Sequence, residues 1–170
     1  MTINSIKSFL PGFDGTRAFG GALRFFDAKN QEWVATWGKY YGNLLPKLRF
    51  FAGDAFGLLY GLDSNKKVSI FWTETADIED LGVSEDEFYQ LIQQDPDGTI
   101  NLALYKDAVD KLGEPNLDQD FAFKVETALG GQLSIDNLYI CDRESHLIGL
   151  AKIATQIHKM PVGTRVIPKI

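Results

Sequence analysis

Between Leu48 and Leu81 the chain offers several short apolar segments separated by only a few residues each. A parallel pair of strands needs a crossover of about a dozen residues or more, whereas antiparallel strands can be joined by a tight turn. This spacing therefore admits one solution, an antiparallel meander. Leu48-Arg49-Phe50-Phe51 leads to Gly53-Asp54, and Phe56 to Leu62 follows. Asp63-Ser64-Asn65-Lys66 is turn chemistry. Val68, Ile70 and Trp72 then alternate with Ser69, Phe71 and Thr73 in a run rich in β-branched and aromatic residues. A further strand around Ala76 to Asp80 pairs with it. The short apolar run Ala22 to Phe26, after Gly20-Gly21, is another strand candidate.

Helical patterns flank this block. Ile3, Ile6, Phe9 and Leu10 share a face before Pro11-Gly12 stops the helix. Trp33, Trp37, Tyr40 and Tyr41 share another, with Asp27 or Asn30 as cap and Gly42 as terminus. Ser84-Glu85-Asp86-Glu87 is a capping box, and Val83 and Phe88 have hydrophobic-staple spacing. Asp95-Pro96-Asp97-Gly98 reads as a turn, and a helix over about 100–112 ends at Gly113. Phe121 to Val125 and Leu138 to Cys141 read as strands, and Asp142 caps a last helix that Met160-Pro161 ends. The expected class is α+β: an antiparallel sheet flanked by helices in one domain over residues 1–170, with an N-terminal helix and loop over 1–19. An apolar fraction of 45% rules out a disordered tail.

Charge is distributed unevenly. Lys67 and Lys106 enclose no basic residue but nine carboxylates, so residues 68–105 carry −9 of a chain whose net charge is −6. Such a field repels phosphate backbones and anionic membranes and attracts basic proteins. Nucleic-acid binding is disfavoured, because it depends on lysine and arginine neutralising phosphates. A solvated acidic face accounts for these residues at minimum; among specific roles, protein binding outranks catalysis. Glu74, Asp77, Glu79, Asp80, Glu85 and Asp86 are the candidate contacts for a basic protein partner.

Signals for chemistry are sparse. His146 and His158 lie on the last helix about 120° apart and about 18 Å along its axis, too far to share a metal or proton. The sequence has no Cys-x-x-Cys, no phosphate-binding glycine motif, and no calcium loop with its closing glutamate. Cys141 with His146, oriented by Asp142 or Glu144, is the one nucleophile–base pairing available; a lone cysteine ending a strand is more often a small buried hydrophobe. No catalytic, metal or cofactor residues are assigned. With one cysteine, no leader-like opening and no long apolar run, a cytoplasmic protein is expected.

Two stretches carry a family resemblance. Residues 54–81, from Asp54-Ala55-Phe56-Gly57 through Val68 to Leu81, resemble the turn-and-strand pattern of bacterial immunity proteins. The second stretch runs from Phe121-Ala122-Phe123-Lys124-Val125 through Leu129-Gly130-Gly131, Asp136-Asn137-Leu138 and Asp142. It continues to His146-Leu147, Gln156-Ile157-His158 and Pro161-x-Gly163-Thr164. Over residues 20–166 the order and spacing resemble the family containing the C-terminal domain of type VI secretion DNase-immunity proteins (GAD-like), and loosely the SMI1/KNR4 group. The chain departs from that pattern at Leu58, at Glu126-Thr127 and at Lys152-Ile153-Ala154. The resemblance implies a non-catalytic protein that binds and neutralises a cognate toxin, often a nuclease. The alternatives are a protein-binding adaptor of the same fold or a hydrolase using Cys141. The motif glycines suit tight turns, Asp136-Asn137 suits backbone satisfaction, and His146 suits a hydrogen bond within the helix start.

Overall fold

The structure, a computed structural model, describes residues 17–167 and 169. The helix expected over residues 3–10 lies outside that range. Six strands form one sheet in the order β1 (Arg17–Ala18), β2 (Leu23–Phe25), β3 (Arg49–Asp54), β4 (Leu59–Leu62), β5 (Val68–Trp72) and β6 (Asp77–Asp80). Every neighbouring pair is antiparallel, so the meander expected from the short connections is the observed topology. A two-stranded ribbon, β7 (Gln119–Phe123) with β8 (Leu138–Asp142), stands apart from it. Five helices complete the described residues: α1 (Glu32–Gly38), α2 (Glu85–Gln94), α3 (Pro96–Ile100), α4 (Leu102–Leu112) and α5 (Arg143–Ile157). The protein is α+β.

Consecutive apolar residues explain how the sheet is buried. Side chains alternate across a strand, so a pair such as Phe50-Phe51 or Leu59-Tyr60 sends one ring or branch to each face. Phe51, Tyr60, Leu62 and Val68 join Phe88 and Ile92 of α2, Tyr105 of α4 and Phe121 of β7 in one core. Phe50, Leu59 and Phe71 join Trp37, Tyr41 and the inner side of α5 (Leu147, Leu150, Ala151, Ala154) in a second core. A register shift between Phe50 and Ala52 marks a bulge in β3 and turns the strand locally.

The capping box forms as its residues dictate: Ser84 Oγ accepts from Glu87 N–H at 3.3 Å, and Glu87 Oε2 accepts from Ser84 N–H at 2.6 Å. Two local expectations are corrected. Asp95-Pro96-Asp97-Gly98 is the start of α3 rather than a simple turn, because Asp95 Oδ1 accepts from Gly98 N–H and Pro96 occupies the first helical position. The N-cap position of α1 is Gln31 rather than Asp27 or Asn30, although Asn30 Oδ1 does accept from Glu32 N–H at 2.9 Å; the Gln31 side chain bonds both backbone groups of Phe50 and ties the helix entry to β3.

Candidate protein-binding surface and adjoining cleft

The acidic segment reaches the surface at one edge of the sheet. In β6, Asp77, Ile78, Glu79 and Asp80 are all exposed, and among the described residues no strand pairs with the outer side of β6. Residues 81–84 connect it directly to α2, whose first turn carries Glu85, Asp86 and Glu87. These carboxylates suit the positive end of that helix dipole. Glu85 also accepts from the Tyr89 hydroxyl at 3.1 Å, and burial with Glu85 beside it raises the Tyr89 phenol well above its ordinary range. Glu79 Oε2 accepts from the Trp72 indole N–H at 3.1 Å, fixing a tryptophan that is 39% exposed at the same edge. Glu74 behaves differently: one oxygen accepts from the Thr127 hydroxyl at 2.5 Å and the other from Ala128 N–H at 3.1 Å. Both its oxygens are thus occupied in anchoring the 127–129 turn.

Beside this edge lies a cleft of about 390 Å³ lined by Asp54, Trp72, Glu74, Phe123, Glu126 and Leu133, among others. Asp54 is only 4% exposed. Its Oδ1 accepts from Phe56 N–H and Leu58 N–H, each at 2.9 Å, which closes the turn between β3 and β4. Burial pushes its carboxyl up to about 7, against those two N–H bonds. Burial likewise pushes Glu126 up to about 7; His146 opposes the shift and Glu74 adds to it.

The far wall of the cleft is a loop held by residues that the sequence marked as motif. Asn137 Nδ2 donates to Val125 O at 2.8 Å and Gln132 O at 2.9 Å, while its Oδ1 accepts from Val125 N–H at 3.0 Å. A Cβ at Gly131 would collide with the Val125 carbonyl, so only glycine permits this return of the chain. His158 lies 2.8 Å from Thr75 O, and Gln156 bonds both backbone groups of Lys169. These motif residues build the fold, as expected of them.

His146 departs from the expectation. Its ring is buried and faces Asp120 Oδ2 at 3.5 Å rather than capping its own helix. Asp120, 1% exposed, is the centre of a buried ionic hub. Its Oδ1 meets Arg24 Nη1 at 2.5 Å and Arg143 Nε at 3.0 Å. Arg24 also donates to the Gln119 carbonyl. Burial alone would push the Asp120 carboxyl up; His146, Arg143 and Arg24 together outweigh it and hold it below the usual range. Sequence reasoning missed this hub, since Arg24 and Asp120 are far apart in the chain.

Cys141 is half-buried in a second cleft of about 480 Å³ that His146 and Glu126 also line. Burial, with Asp120, Asp142 and Glu126 around it, pushes its thiol up to about 12. The site therefore favours thiol over the thiolate that nucleophilic catalysis needs. Among the described residues no group of three or more His, Cys, Asp or Glu side chains is placed to hold a metal ion, and no helix is long and apolar enough to cross a membrane.

The fold is similar to that of a solved protein described as Atu4351 from Agrobacterium tumefaciens. The TM-score is 0.58 at 14% sequence identity, covering 88% of this chain and 75% of that one. No curated protein sequence matches the chain. The resemblance read from the sequence has a direct counterpart: residues 84–157, from the N-cap of α2 to the end of α5, are similar to the family described as T6SS immunity protein Tdi1, C-terminal.

Proposed function

We propose that the chain neutralises a basic toxin domain, a nuclease being the fitting class, by binding it through the acidic edge formed by β6 and the first turn of α2. The observation that carries this reading is the exposure of Asp77, Glu79 and Asp80 on an edge strand with no cation near it in sequence. A protein that binds nucleic acid presents cations to phosphates. An immunity protein that occupies such a surface needs carboxylates in the same places. Charged edge strands also resist unwanted strand pairing, so these acids serve solubility in the free protein. Complementary charge acts chiefly on encounter rate and on the choice of partner.

Reversing Glu79 and Asp80 together to lysine tests the reading against a cognate toxin domain. Association at about 50 mM salt slows by about tenfold or more, and the difference shrinks at about 500 mM, where the screening length falls to a few ångströms. Wild-type association rates at both salt concentrations refute it.

A further inference from the structure

We propose that the groove along the outward side of α5 seats an acidic segment of a protein partner, with one large apolar side chain of that segment over Gly149 and its carboxylates meeting the cations at the rim. This surface goes beyond the acidic edge of β6, since it carries the opposite charge and takes the opposite kind of segment.

Two apolar stripes run along α5. Leu147, Leu150, Ala151 and Ala154 are buried in the core. Gly149, Ile153 and Ile157 recur every fourth residue, so they share another side of the helix over about 12 Å. All three are only half-buried. Gly149 and Ile153 line the cleft beside Cys141, and Ile157 lines a neighbouring one of about 730 Å³. Leu129 and Val166 line both, so the two clefts adjoin as one groove. Exposed Val125 and Tyr139 stand on its ribbon side, and exposed Met160 and Val162 on its C-terminal side.

Gly149 marks where a guest would sit. A glycine inside a helix costs stability relative to alanine. Gly149 lies mid-helix without a positive φ, and a Cβ there would meet no atom within 4 Å. Neither a turn nor packing within the chain accounts for it among the described residues, whereas close approach of another side chain does.

Charge selects the guest. Lys124, Lys152 and Lys169 line one half of the groove, Lys159 and Arg165 the other, against the carboxylates Glu126 and Asp77. None of these five cations forms an ion pair among the described residues, although the chain as a whole carries −6. Lys124 Nζ donates only to a backbone carbonyl, that of Asp136. Unpaired cations around an aliphatic floor suit a segment whose carboxylates flank large apolar residues. Nucleic acid is favoured less, since its contacts are phosphates and stacked rings.

The probe is the peptide acetyl-Glu-Glu-Leu-Trp-Glu-Glu-amide, followed by NMR shifts of the Gly149, Ile153 and Tyr139 amides of the full chain. Its controls carry lysine for every glutamate, or serine for leucine and tryptophan. At about 50 mM salt the acidic probe saturates these shifts, the serine peptide does not, and the lysine peptide binds about tenfold or more weakly. Gly149→Leu fills the groove and weakens the probe about tenfold or more. Its Tm equals or exceeds that of the parent, because the new side chain enters open space and leucine favours the helix. Lys152→Glu combined with Arg165→Glu also weakens the probe about tenfold or more at about 50 mM salt, and less at about 500 mM. That double variant changes only exposed side chains, so it decides the matter even where Gly149→Leu lowers Tm. Absence of saturable binding, equal binding of the lysine peptide, or an affinity that either variant leaves unchanged overturns the proposal. Stronger binding at the same amides by oligothymidylate or by phosphatidylglycerol vesicles overturns it as well. Neither variant touches β6, so failure here leaves the acidic-edge reading standing.

Discussion

Replacing Asp120 with asparagine keeps the shape of the hub and removes its charge. Arg24, 2% exposed, then holds a guanidinium in the interior with only carbonyl partners, Gln119 O and Gly21 O. Removing one partner of a buried ion pair costs about 3–5 kcal/mol, because the other charge stays desolvated. Arg143 is 16% exposed at its side chain and lies over the Phe26 ring at 5.2 Å, so it has a route to water that Arg24 lacks. The expected loss is therefore about 3–4 kcal/mol, dominated by Arg24. For a domain of this size that lowers Tm by about 6–16 °C. Urea unfolding followed by tryptophan fluorescence reads it as a lower midpoint at unchanged slope. Asp120 titrates below its ordinary range in the fold, so its contribution is present above the unfolded carboxyl pKa of about 3.9 and is lost as pH falls through the lower folded value. Wild type and Asp120→Asn therefore differ at pH 7 and converge in acid. Replacing both Arg24→Met and Asp120→Leu recovers most of the loss, since no unpaired charge remains. A single-variant loss below about 1 kcal/mol, or a double variant no better than the single one, refutes the reasoning.

Other substitutions test separate parts of the account. Asp54→Asn has the opposite sign: the folded pKa of about 7 lies above the unfolded one, so the native carboxyl destabilises the fold as pH rises from about 4 through 7. The variant gains stability above pH 7, with a ceiling of about 4 kcal/mol, and the gain vanishes near pH 4; thermal melts across that range check it. Gly131→Ala forces the 125–131 return apart and costs about 1–3 kcal/mol, visible as a lower Tm and as changed amide shifts at Val125 and Glu126. Ser84→Ala removes the cap of α2 and costs about 1 kcal/mol in chemical denaturation.

How much of this could be read from the chain depends on the range of each interaction. The capping box was legible because all its parts lie within four residues, and the meander because short connections leave no alternative. Doublets such as Phe50-Phe51 already signalled a sheet buried on both faces, a signal that alternation in β5 masked. The signature of α3 was present in Asp95 and Pro96 but was outweighed by the turn preference of the same residues. The β6 acids are exposed, as solvated carboxylates are, whereas Glu74 looks identical in sequence and is tied down internally by a turn about fifty residues later. Asp54 and Glu126 gave no signal, because their shared cleft exists only once the β7–β8 ribbon has packed against the sheet. The Arg24–Asp120 pair is invisible for the same reason.

That pair also sets an order of events in the making of the protein. The strand bearing Arg24 leaves the ribosome well ahead of the carboxylate that neutralises it, and β3 to β6 are synthesised in between. Until β7 emerges, closing the sheet's interior around Arg24 means burying a bare cation, so the nascent N-terminal portion gains little from early compaction. Arrival of Asp120 removes that obstacle. A chain cut short before residue 120 therefore lacks the counter-charge its first strands require, and is left open to proteolysis instead of accumulating in a folded form.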